Sequence, residues 1–253
     1  MSLSAPLQDR ADQFCADQIC PICYSNLFDL SVKPYIRCRS CNLELAIEPP
    51  PHPVLTNSNS NQIKSIKIGW LTKSQAKAQV SHLKLDATTL DFGAGRGDLV
   101  YYLKKLGFSA YGIERDQPSI QFADKTLGIT LFQSLHELEY TFNSVSMWHA
   151  LEHLTIEEAL HILGLIKEKL LYSGEIILSV PNSDSWFYRL FGMNYCFFDR
   201  SAHPVNYSPA AIKKLAEKIG LKQGDYFFIL PYALVGYVLS LTNLLFPIRN
   251  YIH

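Results

Sequence analysis

The chain has 253 residues, 48% of them hydrophobic and 18% charged, with 23 basic residues balanced by 23 acidic ones. This composition supplies a sizeable core, either as one large domain or as a domain with a small module. Zero formal net charge leaves no electrostatic footprint for nucleic acid, and no basic start leads into an apolar run as a secretory signal would, so the expected location is cytoplasmic and the six cysteines read as ligands or free thiols.

After an N-terminal tail over residues 1–17, the first module covers residues 18–48. It holds Cys20-Pro-Ile-Cys23 and Cys38-Arg-Ser-Cys41, with fourteen residues between the two pairs. Two such knuckles can present four thiolates tetrahedrally to one zinc ion, because each short turn projects two sulfurs inward. Four thiolates leave no open coordination position, so the zinc is expected to be structural and the module a zinc ribbon. Cys15 and Cys196 fall outside the spacing and read as free thiols.

Residues 49–65 form a linker, since three consecutive prolines among serines and asparagines continue neither helix nor sheet. A solvated His52 lies within it. A domain over residues 66–230 follows, opening with a helix in the 66–85 region.

The next stretch, Thr89 to Glu114, reads as strand, glycine loop, helix and strand. An apolar run ends in Asp91. Gly93, Gly95 and Gly97 then alternate with Ala94 and Arg96, allowing backbone amides to approach a ligand closely. The helix starting near Gly97 points its positive end at the same place. Glu114 ends the second strand, where a carboxylate can accept both hydroxyl hydrogens of a ribose. The dinucleotide fingerprint requires a third spaced glycine where Asp98 stands. Asp91 beside the loop also suits a ligand with positive charge better than a pyrophosphate.

These residues resemble motif I of the class I S-adenosylmethionine-dependent methyltransferases. The resemblance implies a Rossmann-like α/β fold with a seven-stranded sheet and S-adenosyl-L-methionine as methyl donor. Glu114 would then hold the ribose, with Asp91, Gly93, Ala94, Gly95 and Gly97 lining the methionine end.

Beyond Glu114, Asp116-Gln-Pro118 reads as a helix cap, with the helix ending at Gly128 and a short third strand over Ile129 to Phe132. Ser134 and Leu135 follow, where the family usually touches adenine; Glu137 is the alternative there. The fourth strand, Ser144 to Trp148, leads into His149-Ala-Leu-Glu152-His153-Leu. That segment resembles a branch of the class acting on quinone precursors, sugars and other small molecules. It implies His149 facing the donor, and Glu152 with His153 positioning or deprotonating the acceptor. The competing reading of His153 is a helix cap, and a Glu-His metal site is conceivable. Thr155 to Glu158 forms a capping box. The helix it opens is expected to reach Leu171, with a fifth strand from Glu175 to Val180.

The aromatic segment from Trp186 to Phe198 reads either as the wall of a hydrophobic acceptor pocket or as a helix packing its own rings. His203 lies in a stretch resembling the family's p-H-x-x-x-x-S segment, as a candidate base or as an architectural residue, and Ser208-Pro209 caps the last helix. Residues 226–230 read as a sixth strand. The apolar segment 231–253, free of formal charge as far as Ile248, reads as a seventh strand or an interfacial helix, leaving peripheral membrane or protein contact open. Its fifteen-residue run from Tyr232 to Phe246 would span about 22 Å as a helix, short of a hydrocarbon core. The expected function is methyl transfer to a small-molecule acceptor. The alternatives are a partner-binding module with a non-catalytic methyltransferase fold and an RNA methyltransferase.

Overall fold

Residues 19–25, 28–29, 35–47, 68–192, 195, 197, 199, 202–222 and 224 are described by the structure, a computed structural model. Cys15, the linker with His52, Cys196 and the segments expected at 226–230 and 231–253 lie outside them. The elements in chain order are β1 (Phe28–Asp29), β2 (Tyr35–Cys38), β3 (Glu44–Ala46), α1 (Trp70–Val80), β4 (Thr88–Phe92), α2 (Asp98–Lys105) and β5 (Ser109–Ile113). They continue with α3 (Gln117–Phe122), β6 (Phe142–Trp148), α4 (Ile156–Glu168), β7 (Leu170–Ser179), α5 (Trp186–Phe191), β8 (Val205–Asn206) and α6 (Pro209–Lys218). Among the described residues, one compact unit takes 68–151 and 161–179, and the other takes 19–47, 152–160 and 180–224.

The first of these units is built on a parallel sheet of order β5-β4-β6-β7. Leu90 of β4 and Val145 and Met147 of β6 have no exposed surface, and Ser144 and Ser146 between them are equally buried. A strand buried on both sides is what a parallel sheet requires, so even the serines of β6 are enclosed. Four parallel strands are present among the described residues, against the seven expected. The expected third strand is one parallel bridge, Ile113 with Phe132. It is framed by Phe132 N donating to Gly112 O at 2.9 Å and Glu114 N donating to Phe132 O at 2.8 Å. The chain then enters a tight turn capped by Ser134, leaving no length for a ladder.

A second difference concerns the junction of α4 and β7. The helix stops at Glu168 and the strand begins at Leu170, where a helix to Leu171 was expected. Phe142 N donates to Lys169 O at 2.8 Å and Phe142 pairs with Leu170 before the register shifts to Ser144 opposite Glu175. The irregular ladder thus captures residues 170–174 from the helix. Gly174 sits inside the strand, where a Cβ would lie 2.9 Å from the carbonyl oxygens of Leu171 and Phe142.

The helix starts follow local chemistry, as read at Asp116, Thr155 and Ser208 and without a prior reading at Ser185. Asp116 accepts from Ser119 N, and Thr155 and Glu158 bond reciprocally at 2.9 and 3.3 Å. Ser185 and Ser208 accept from Tyr188 N and Ala211 N, each at 3.0 Å. Each cap satisfies an amide that the first helical turn leaves open.

The other unit holds an antiparallel sheet of order β1-β2-β3-β8. Glu44 pairs with Asn206 and Leu45 with Val205, so a dipeptide 160 residues downstream completes the sheet of the cysteine module. Tyr35, Ile36 and Leu43 are fully buried in it, and so is Glu44. Burial raises the Glu44 carboxyl, against the Arg37 guanidinium that donates to it at 2.6 and 2.9 Å. Asn206 and Tyr188 donate to its other oxygen at 3.1 and 3.3 Å. A buried carboxylate is tolerated only with such partners, and this one ties β2, β3, α5 and β8 together.

Among the described residues, no helix is long and apolar enough to cross a membrane.

Candidate functional site

The glycine loop joins β4 to α2 at the carboxyl edge of the parallel sheet. Gly93 N and Ala94 N both donate to Ile113 O at 2.9 Å, which folds the loop back against the end of β5. Gly93, Gly95 and Gly97 all have positive φ, at 77°, 52° and 81°. At Gly93 a Cβ would lie 2.7 Å from the Ala150 side chain, so this position needs glycine for close packing as well as for φ. At Gly95 a Cβ would meet nothing within 4 Å. The space there is open, as it must be where a ligand approaches backbone.

Glu114 is nearly buried, at 8% exposure, and its carboxylate is held by amides. Gly95 N donates to Oε2 at 2.7 Å, while Arg115 N and Asp116 N donate to Oε1 at 2.7 and 2.9 Å. A carboxylate accepts about four hydrogen bonds, so Oε2 retains capacity beside the loop. Asp91 is buried at 4% exposure and accepts from Ser146 Oγ at 2.7 Å. Burial pushes it up to about 7; the Ser146 bond opposes this and the charge of Glu114 adds to it. Glu114 thus sits at the open loop edge, and Asp91 is a buried carboxyl in its field that is costly to ionise without a cation. That donor set fits a nucleoside whose ribose meets Glu114 and whose positive group meets Asp91.

The remaining expected donor-side residues divide. His149 follows β6 directly with φ of 54°, a left-handed conformation rare outside glycine, and its amide donates to Ser179 O at 2.9 Å. Its neighbour Ala150 is the residue packed on Gly93. The Ser134 hydroxyl accepts from His136 N at 3.2 Å and the buried Leu135 opens a single 3-10 turn, so both build the turn after the bridge. Glu137 is likewise engaged, accepting from Gln133 N at 3.0 Å.

In the other unit the four cysteines expected to bind metal come together. Cys20 and Cys41 sulfurs are 3.7 Å apart, those of Cys23 and Cys38 3.5 Å, and all four lie within 4.8 Å of one another. Zinc with bonds of about 2.3 Å sets its sulfurs about 3.8 Å apart, so the cluster fits the ion. The hydrogen bond with Cys41 is the largest influence on Cys20, lowering it to about 5, and it correspondingly pushes the Cys41 thiol up. A thiolate is thus already favoured at one corner.

Glu152, His153 and His203 form a second group, with ligand atoms within 4.8 Å of one another. The two imidazole rings meet edge to face, centroids 4.7 Å apart. His153 Nδ1 lies 3.1 Å from Ala202 O, so its ring is held by that carbonyl rather than capping α4. Glu152 and His203 are buried, at 1% and 5% exposure. Tyr207 was not anticipated. It is fully buried, and burial and the nearby Glu152 charge both raise its phenol. Its only sequence signal was an aromatic two residues before Pro209.

The aromatic segment is amphipathic. Tyr188 and Phe191 of α5 are buried, whereas Trp186 and Leu190 are exposed. Phe187 stacks with Tyr195, centroids 6.4 Å apart.

Comparison with known proteins decides the family. A family profile described as "Methyltransferase domain" matches residues 72–223, more than half of the chain. The chain belongs to this methyltransferase family. It is 26% identical over 148 residues to an uncharacterized methyltransferase of Alkaliphilus oremlandii, a match covering 57% of this chain and 68% of that protein. The methyltransferase fold also matches a SAM-dependent methyltransferase from Archaeoglobus fulgidus, with a TM-score of 0.50 and 21% identity over 68% of this chain and 86% of that one. Magnesium protoporphyrin IX methyltransferase from Synechocystis PCC 6803, solved with bound SAH, is similar at a TM-score of 0.48 and 19% identity, covering 61% of this chain and 74% of that one. The fold is therefore that of a methyltransferase domain.

Proposed function

We propose that this chain methylates a small-molecule acceptor, using S-adenosyl-L-methionine held at the glycine loop, and that a structural zinc organises residues 18–48. The observation that carries this reading is the Glu114 carboxylate held at the open edge of Gly95, with the buried Asp91 in its field. Bound adenosylmethionine would supply a sulfonium methyl as the electrophile. Glu114 would hold the ribose through the free capacity of Oε2, and the Asp91 carboxylate would stabilise positive charge at the methionine end. Ala94 and Gly97 would complete the backbone cradle, and His149 would border it through the strained turn after β6.

The group Glu152, His153 and His203 would handle the acceptor and its proton. The segment Leu151-Glu152-His153-Leu154, similar to that of small-molecule enzymes, and the neutral net charge both favour a small acceptor over a nucleic acid. The exposed Trp186 and Leu190 would offer it apolar surface. The domain division at 18–48, 49–65 and 66–230 and a role for the apolar segment 231–253 in membrane or partner contact belong to the same proposal.

Titration calorimetry of the full chain with adenosylhomocysteine tests the donor site. Binding with one equivalent is expected, and its absence from zinc-loaded protein rules the enzyme reading out.

A further inference from the structure

We propose that Glu152, His153 and His203 form a binding site for a first-row divalent cation, separate from the four-cysteine cluster, that binds and acidifies a hydroxyl-bearing acceptor. The acceptor role rests on the methyltransferase reading above, whereas the metal site stands on its own geometry.

The donor set is two imidazoles and one carboxylate, the combination that suits intermediate divalent ions and leaves coordination positions open. All three ligand atoms lie within 4.8 Å of one another. Bonds of about 2.0–2.2 Å would require the side chains to close by less than about an ångström.

Two further observations point to a ligand. The first is the tautomer of His153. Its Nδ1 faces the Ala202 carbonyl at 3.1 Å, and a carbonyl only accepts, so Nδ1 carries the hydrogen and Nε2 keeps its lone pair. A ring nitrogen donating to a backbone carbonyl while the other ligates is the usual outer arrangement of a metal-bound histidine. The second is Tyr207, whose fully buried hydroxyl makes no hydrogen bond to a described residue although it sits in the field of Glu152. Buried hydroxyls are rarely left so. An oxygen carried by a cation at Glu152 would give it an acceptor. The Asp199 amide lies 3.4 Å from His203 Nδ1, at the long limit of hydrogen bonding, and opposes ligation weakly.

A cation in this position would have a definite effect on an acceptor hydroxyl. Coordination would form a metal–oxygen bond and make the O–H bond acidic, so the proton passes to water and the oxygen keeps the electron pair that forms the new O–CH3 bond as the sulfonium C–S bond breaks and adenosylhomocysteine leaves as a thioether. The expected acceptor is therefore an alcohol or phenol rather than an amine.

Full-length protein carrying zinc at the cysteines is titrated with cobalt(II) alone, and uptake is followed by elemental analysis and visible absorption. The expected result is one further equivalent of cobalt without intense thiolate charge-transfer bands. That equivalent should weaken at least about tenfold in Glu152→Gln and His153→Asn. Glu152 is buried and its variant can fail to fold, so the half-buried His153 supplies the second test, with retained zinc and unchanged adenosylhomocysteine binding as the check on folding. No further equivalent in the wild type, or full uptake by the folded His153 variant, overturns the proposal. Failure of wild-type protein to bind adenosylhomocysteine would instead remove the methyl-donor reading and leave the cobalt result standing.

Discussion

The glycine loop and the cysteine cluster both bring a few residues to one point, but they are held in place differently. The loop is backbone, fixed by amides on Ile113 O and by strands whose central residues are wholly buried. Its shape is set by the sheet before any ligand arrives. The cluster is side chains, with Cys38 at the end of a four-residue strand and Cys20, Cys23 and Cys41 outside any strand, and its four sulfurs converge although convergence of thiolates alone is repulsive. One site is organised by its fold, and the other, on the proposed zinc reading, by its ligand. Removing the ligand from each should separate them.

The largest effect is expected at the cluster. Cys20→Ser, or chelation of the metal, should release zinc and unfold residues 19–47, because structural zinc contributes on the order of 10 kcal/mol to small sites. Adenosylhomocysteine affinity should stay within about threefold. Elemental analysis and calorimetry on the same sample check both, and retained zinc in the variant would contradict the four-cysteine assignment.

The loop should respond to side chains rather than to ligand removal, and its glycines should respond differently. Gly93→Ala forces a Cβ to within 2.7 Å of Ala150 at a φ of 77°, so folding stability should fall by about 1–3 kcal/mol or more. Gly95→Ala enters open space and should cost only about 1–2 kcal/mol in stability, yet lower adenosylhomocysteine affinity about tenfold or more by filling the ligand's approach. Thermal melts and calorimetry on both variants distinguish the two. Equal affinity losses would place the ligand elsewhere.

Glu114 falls between these cases, since its side chain serves both loop and ligand. Glu114→Ala removes an acceptor from three amides and should weaken adenosylhomocysteine binding by about 1–3 kcal/mol. Unchanged affinity would show that the carboxylate only braces the turn.

Legibility in the sequence followed the same division. The glycine loop, its flanking strands and most helix caps were readable because local chemistry fixes them: positive φ at Gly93, Gly95 and Gly97, and side-chain oxygens at Asp116, Thr155 and Ser208. The convergence of the cysteines was readable because each C-x-x-C turn brings two sulfurs to one side. What depended on pairing across long sequence distance was not. Nothing local marks Val205–Asn206 as the fourth strand of the cysteine module, or Glu44 as a buried carboxylate facing Asn206 and Tyr188. Residues 170–174 read as helix and turn, and only the irregular ladder with β6 makes them strand. In the acceptor-side group, Glu152 and His153 were visible from their motif, but Tyr207 joins them only through tertiary contact.

The smallest effect expected is a pH dependence at Asp91. Its ordinary value is 3.8 and burial raises it to about 7 in the folded protein. Between these values the folded chain holds a proton that the unfolded chain has lost. The stability this provides is complete below about pH 4, declines as the pH rises to about 7 and changes no further above it. Asp91→Asn should flatten that slope in denaturant titrations. Donor binding should run the other way, because only the ionised carboxylate attracts a cationic group, so wild-type adenosylmethionine affinity should rise as pH passes through about 7 while that of Asp91→Asn stays level. A wild-type affinity independent of pH from 5 to 8 would mean that Asp91 does not face the donor's positive charge. The glycine loop would then be organised around Glu114 alone.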